Sequence, residues 1–102
     1  LQNFAPLALR QDVGALWENF FISERMKVNQ NAGRYVNSYF WRTSQQQEID
    51  YLEECDGQFS LFEMKWNPRR ANTKFPASFL SAYQVKDKCF VTPENWIDWV
   101  IE

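Results

Sequence analysis

The carboxylates best placed to do chemistry cluster in one stretch, Glu48 to Lys65, with the sequence EIDYLEECDGQFSLFEMK. It reads as two strands around an Asp56-Gly57 turn, because Asp-Gly between alternating apolar residues is a strong hairpin signal. With a two-residue loop, Cys55 faces Gln58, Leu52 faces Leu61, Asp50 faces Glu63 and Glu48 faces Lys65. Side chains alternate across a strand. Glu48, Asp50, Glu63 and Lys65 therefore share one face with the two leucines, while Ile49, Tyr51, Phe62 and Met64 share the apolar and aromatic one. Directly opposed side chains have Cβ atoms roughly 5 Å apart, and like charges placed there are destabilising. Setting Asp50 against Glu63 thus calls for a cation. Lys65 supplies one positive charge and a divalent metal supplies two. Hard carboxylate oxygens suit Mg²⁺, which leaves its other positions to water and substrate phosphate. The alternative is a solvated strand face on which Glu48 pairs with Lys65 and nothing binds.

A further carboxylate, Glu18, falls on the segment expected to form the first helix. It lies at the edge of an apolar arc, on one stripe with Gln11 and Arg25, and is flanked by Ala15, Phe21 and Ile22. A carboxylate among apolar neighbours is costly unless it meets water, a cation or a metal; otherwise Glu18 is an ordinary boundary glutamate. Downstream, Lys65, Arg69, Arg70, Lys74 and Lys86 are the only charged residues from 65 to 86. A basic segment beside a carboxylate cluster lets an acidic protein hold a phosphodiester, which makes Arg69, Arg70 and Lys74 the candidate substrate-binding residues. The competing reading of 67–74 is a solvated basic loop.

Composition narrows the chemistry. With no histidine in 102 residues, Ser-His-Asp and Cys-His catalysis and His-ligated zinc are all excluded. The net charge of −2 gives no global pull towards nucleic acid or an anionic membrane. No apolar run approaches the ~20 residues of a membrane span. Two cysteines, Cys55 and Cys89, are too few for a disulfide framework, and a reduced, cytoplasmic setting is expected. The length suits one domain over 1–102, and aromatics at 18% foretell a dense aromatic core. Because the chain opens on Leu1 rather than Met, it is expected to be a fragment of something longer.

The elements that must position these residues follow from periodicity. Residues 1–10 read as irregular. Asp12 can cap a helix running to about Lys27, with Val13, Leu16, Trp17, Phe20, Phe21 and Val28 in one core-packing arc. Residues 29–33 read as a loop, 35–42 as an aromatic-rich strand, and 43–47 as a turn into the hairpin. Pro76 opens a short helix carrying Phe79, Leu80 and Tyr83; 89–91 is a short buried strand; Thr92-Pro93-Glu94 starts a last helix with Trp96, Trp99 and Val100 on its apolar stripe. The expected class is α/β (α+β), a small mixed sheet made of an antiparallel three-stranded meander plus a short fourth strand, flanked by helices.

An acidic residue on a first helix, an Asp on a strand and Glu-x-Lys on the next resembles the PD-(D/E)xK nuclease pattern, here Glu18, Asp50 and Glu63-Met64-Lys65. The segments LALRQDVGALWENFFISER, YFWRT, EIDYLEE and FEMKWN narrow the match. They are similar to the C-terminal domain of a family of bacterial and archaeal AAA-type ATPases, a domain of unknown function regarded as restriction-endonuclease-like in fold. The resemblance spans nearly the whole chain. It implies that Asp50 and Glu63 hold Mg²⁺ or Mn²⁺ with the Met64 carbonyl, that Glu18 supports the site, and that Lys65 positions or activates the attacking water. It further implies DNA as substrate and an upstream ATPase module of the same chain as partner. The proline that usually precedes the Asp is missing, and Glu48 is an additional carboxylate. Gln84 is not expected to stand in for the helix glutamine of some related nucleases. Two other classes stand beside a nuclease: a catalytically silent nuclease fold for regulation or partner binding, and a purely structural completion of the ATPase. No G-x-x-x-x-G-K-[ST] occurs, so ATP would not bind this chain by that route.

Overall fold

The Asp56-Gly57 turn forms as its sequence requires. Both residues have positive φ, 53° and 81°, the conformation of a type I′ hairpin whose twist matches that of the flanking strands. The Glu54 carboxylate braces the turn by accepting from the Gly57 backbone N–H at 2.8 Å. The computed structural model describes residues 4–5, 13–45, 47–65 and 75–101. Within them, β1 (Phe4–Ala5), β2 (Asn37–Arg42), β3 (Glu48–Cys55), β4 (Gln58–Met64) and β5 (Gln84–Val91) form one sheet in the order β1-β2-β3-β4-β5. The first three junctions are antiparallel and β4–β5 is parallel, with α2 (Ala77–Ala82) in the crossover that a parallel pair needs.

The meander is as expected, but two features of the sheet are not. The fourth strand of the expected sheet starts at Gln84 rather than at residue 89 and is eight residues long. Its Gln-Val-Lys-Asp-Lys half is polar because it lies at the sheet edge, where charge discourages pairing with other chains. Phe4 and Ala5, read as irregular, pair with Trp41 and Phe40, and the Phe4 ring packs on Tyr39, Phe59, Phe79 and Tyr83.

The β2–β3 pairing carries a β-bulge. Tyr39 opposes Leu52 while Trp41 opposes Ile49, so β3 spends one residue more than β2 across Asp50 and Tyr51. An extra residue reverses the alternation of faces. Ile49 accordingly packs with Leu52 and Leu61, and not with Tyr51, Phe62 and Met64 as simple alternation predicts.

Helix α1 (Val13–Asn31) covers one face of the sheet, where Phe21 and Val28 are buried, and Phe21 joins Tyr51, Phe62, Met64 and Val91 in one core. The other face, with Trp41, Ile49, Leu52, Phe59 and Leu61, packs on Phe75 and on Phe79 from α2. Helix α1 outlasts its expected end near Lys27 and absorbs much of the expected 29–33 loop. It stops in a Schellman motif: Gly33 at φ 73° supplies the left-handed residue, Arg34 N–H donates to the Asn29 carbonyl at 2.8 Å, and Gly33 N–H donates to the Gln30 carbonyl at 3.1 Å. The expected core arc is only partly buried: Leu16 is 59% exposed and Phe20 48%, the latter meeting Trp96 edge-on at 5.3 Å. Trp17, Trp96 and Trp99 are half-buried around the same core. Thr92 opens a turn rather than a full helix, and only Trp96–Trp99 is helical, as one 3₁₀ turn.

Candidate functional site

The hairpin ladder ends at the Tyr51–Phe62 pair, one step before Asp50 and Glu63. Beyond it the two carboxyl groups come close enough to interact, and like charges at that range favour a proton on one of them. Burial is the main reason the Glu63 carboxyl holds that proton, its pKa pushed up to about 9; the hydrogen bond with Asp50 and the Asp50 charge act in the same direction. Lys65 pulls the other way, and the charge of Glu18 adds to the rise. Glu18, on α1, is therefore close enough for its charge to act on Glu63. The β3 bulge falls at Asp50, a common device for re-aiming a side chain beside a site.

Lys65 follows β4 directly. Its backbone N–H donates to the Val91 carbonyl at 2.8 Å, fixing the residue to β5. Its ammonium lies 3.9 Å from Glu63 Oε1, with the lysine side chain 19% exposed. That separation leaves room for a bridging water. Glu48 does not join the group: its carboxylate accepts from Arg42 Nε at 2.9 Å, which removes it both as the partner of Lys65 and as an added ligand. Met64 is a core side chain. Gln84 starts β5 and is on no helix. Arg69, Arg70 and Lys74 lie outside the described residues.

The donor set tests the fit of a cation. Among the described residues, no three of His, Cys, Asp and Glu are gathered into a group that could hold a metal by themselves. Mg²⁺, however, is commonly held by one or two carboxylates with several waters and substrate phosphates, not by a closed protein cage. The Asp50–Glu63 pair offers two hard carboxylate ligands in a partly buried place, where a cation would neutralise the charge that burial makes costly on Glu63. Two carboxylates with the remaining positions left to water are a donor set of the kind Mg²⁺ or Mn²⁺ takes.

A second polar cluster, on the α1 face of the sheet, was not read from the sequence. Glu53, only 4% exposed, is gripped by Arg25 through Nε at 2.9 Å and Nη2 at 3.2 Å. It also accepts from Asn29 Nδ2 at 2.9 Å and Tyr51 OH at 2.8 Å. Arg25 further donates to the Trp99 carbonyl at 2.8 Å and lies over the Phe62 ring. Burial and the Glu53 charge push the Tyr51 phenol well above the usual range, so it stays protonated, giving its one proton to Glu53 and accepting from Ser38 Oγ at 3.2 Å. The available signal was Arg25 seven residues after Glu18 on one stripe, opposite a strand carrying Glu53. An open cleft of about 620 Å³ borders this cluster, with Arg34, Tyr35, Lys86 and Asp87 on its walls.

Residues 13–100 match a protein family described as a domain of unknown function, DUF4143. The chain belongs to the DUF4143 family. No curated protein and no solved structure matches it. In this DUF4143 chain the matched span takes in α1, the meander, α2 and β5, and thus Glu18, Asp50, Glu63 and Lys65.

Proposed function

We propose that this DUF4143 domain is a metal-dependent phosphodiester hydrolase of the PD-(D/E)xK type, acting on DNA as the C-terminal part of an AAA-type ATPase. One observation carries the reading: two carboxyls from adjacent strands approach each other where the ladder ends, with a lysine ammonium 3.9 Å from Glu63 and a helix glutamate whose charge acts on it. The element order from α1 to β5, helix, three-stranded meander, helix, parallel strand, is the order expected of a restriction-endonuclease-like core.

In this reading Asp50 and Glu63 would hold Mg²⁺ or Mn²⁺, with the Met64 carbonyl as a further oxygen. The bound ion supplies acidification of water and neutralisation of charge on the reacting phosphate. Lys65, tethered by its own backbone to β5, orients a water and contributes a positive charge next to the phosphate. Glu18 adds a negative charge that holds the cation side of the site. Arg69, Arg70 and Lys74 would engage the DNA backbone, compensating for the acidic balance of the chain.

A silent nuclease fold used for regulation or partner binding is the second reading, favoured by the lack of a three-residue cage among the described residues. The deciding experiment incubates plasmid and single-stranded DNA with the full-length protein across a Mg²⁺ and Mn²⁺ titration. Cleavage that disappears in both Lys65→Ala and Asp50→Asn supports catalysis. Metal binding without any cleavage, in a protein that still engages its partners, selects the silent module.

A further inference from the structure

The buried Arg25–Glu53 pair lies on the same two elements as the carboxylate site. Glu18 and Arg25 are both on α1; Asp50 and Glu53 are both on β3. Seven residues of α-helix advance about 10.5 Å along the axis, and three residues of strand advance about 10 Å. Seven residues also bring a helix to within roughly 20° of a full rotation. One stripe of α1 therefore spans about the distance between the two places, with Arg25 seated on Glu53 and the Glu18 charge acting on Glu63. The directions agree as well, since Phe21, between the two, packs on Phe62.

The contact at Arg25 is built to fix position. The guanidinium fork takes both oxygens of Glu53, its third nitrogen holds the Trp99 carbonyl, and the ring of Phe62 closes one side. A planar bidentate fork defines both distance and orientation, which a lysine point charge does not. A buried ion pair is in itself weak evidence of stabilisation, because desolvation offsets its attraction. Its geometric use remains.

We propose that Arg25, with Glu53, is a positioning pair that sets the axial register and rotation of α1 on β3, and so delivers Glu18 to the Asp50–Glu63 site. This rests on reading Glu18 as a member of that site. Slippage of α1 by one residue moves Glu18 by about 1.5 Å and rotates it by about 100°, enough to withdraw its carboxylate.

The test is a double-mutant cycle of Glu18→Gln and Arg25→Lys in the full-length protein, read in two ways. Without metal, hydrogen exchange measures protection of the α1 amides. With metal, electron paramagnetic resonance of free Mn²⁺ measures affinity. The expected result is strong coupling: the effect of Glu18→Gln on α1 protection differs between the parent and the Arg25→Lys variant by about threefold or more. The Mn²⁺ affinity lost on Glu18→Gln in the parent shrinks to less than about twofold once Arg25 is replaced. An Arg25 that only adds stability lowers protection but leaves the Glu18 effect the same in both backgrounds, and that outcome overturns the inference. If the parent binds no Mn²⁺ yet the metal-free cycle couples, the positioning role stands and the hydrolase reading falls. If Mn²⁺ binds and both cycles are additive, the positioning role alone falls. Should Arg25→Lys abolish protection throughout β3 and β4, Glu53→Gln, which keeps an acceptor and removes only the charge, takes its place in the same cycle.

Discussion

The proton that Glu63 holds beside Asp50 makes the site sensitive to pH in a definite direction. The Glu63 pKa rises from 4.5 to about 9 in the folded chain, so the folded state binds a proton that the unfolded state releases near its ordinary pKa. Stability is then greatest below about pH 4.5 as far as this group is concerned, and falls as pH climbs through the window up to about 9. Glu63→Gln keeps a hydrogen-bonding group and has no proton to lose. It should match the wild type in acid and exceed it increasingly towards pH 9, as urea denaturation at several pH values would reveal. Parallel curves across that range would mean the pair is not strained by its charge. Lys65 is a different case. Its ammonium stands 3.9 Å from a Glu63 carboxyl that carries a proton, so Lys65→Ala breaks no full ion pair and should cost about 1 kcal/mol or less, the scale of a weak polar contact. A large fall in melting temperature would make the lysine a structural counter-ion instead, and any loss of DNA cleavage uninformative about its chemistry.

Elements translate those residues into a site, and here the sequence was unevenly legible. The β3–β4 hairpin was readable because Asp-Gly specifies its turn, and the turn specifies the Leu52–Leu61 register. The bulge was not, since an inserted residue changes which side chains share a face without changing local composition; Ile49 is the residue that exposes it. The end of α1 was misplaced because Asn29 has poor helix propensity, yet tertiary bonds with Glu53 and Arg34 hold it in the helix. Periodicity also overestimated the buried face of α1, because it cannot say how much of a sheet the helix covers. That yields a contrast on one helix. Phe21→Ala should cost about 3–5 kcal/mol, the range for a fully buried aromatic, whereas Phe20→Ala, whose ring is half exposed beside Trp96, should cost clearly less. Equal costs by chemical denaturation would show that the outer Phe20–Trp96 contact belongs to the core after all.

At the scale of the whole molecule, the sheet holds the carboxyl pair where the β3–β4 ladder ends, and the charge of Glu18 on α1 acts on Glu63 there. Such a site should link ligand binding to folding, because the unfolded chain has no pair to offer. A cation that binds only the folded state stabilises it by about 2.7 kcal/mol at a hundredfold excess over its dissociation constant. For a domain of this size that is a rise in Tm of roughly 10 °C or more. The cation must also displace the proton on Glu63, and ligands bind metal only when deprotonated. The gain should therefore be small at pH 5 and grow towards pH 9, opposite in sign to the metal-free trend of the pair. Glu63→Gln should lose most of the gain at every pH, one anionic oxygen ligand having become a weaker neutral amide. Calorimetry with and without millimolar Mn²⁺ at pH 5, 7 and 9 separates the cases. Melting temperatures unmoved by metal at all three would leave the carboxyl pair as a buried acid dimer that helps close the sheet and binds nothing.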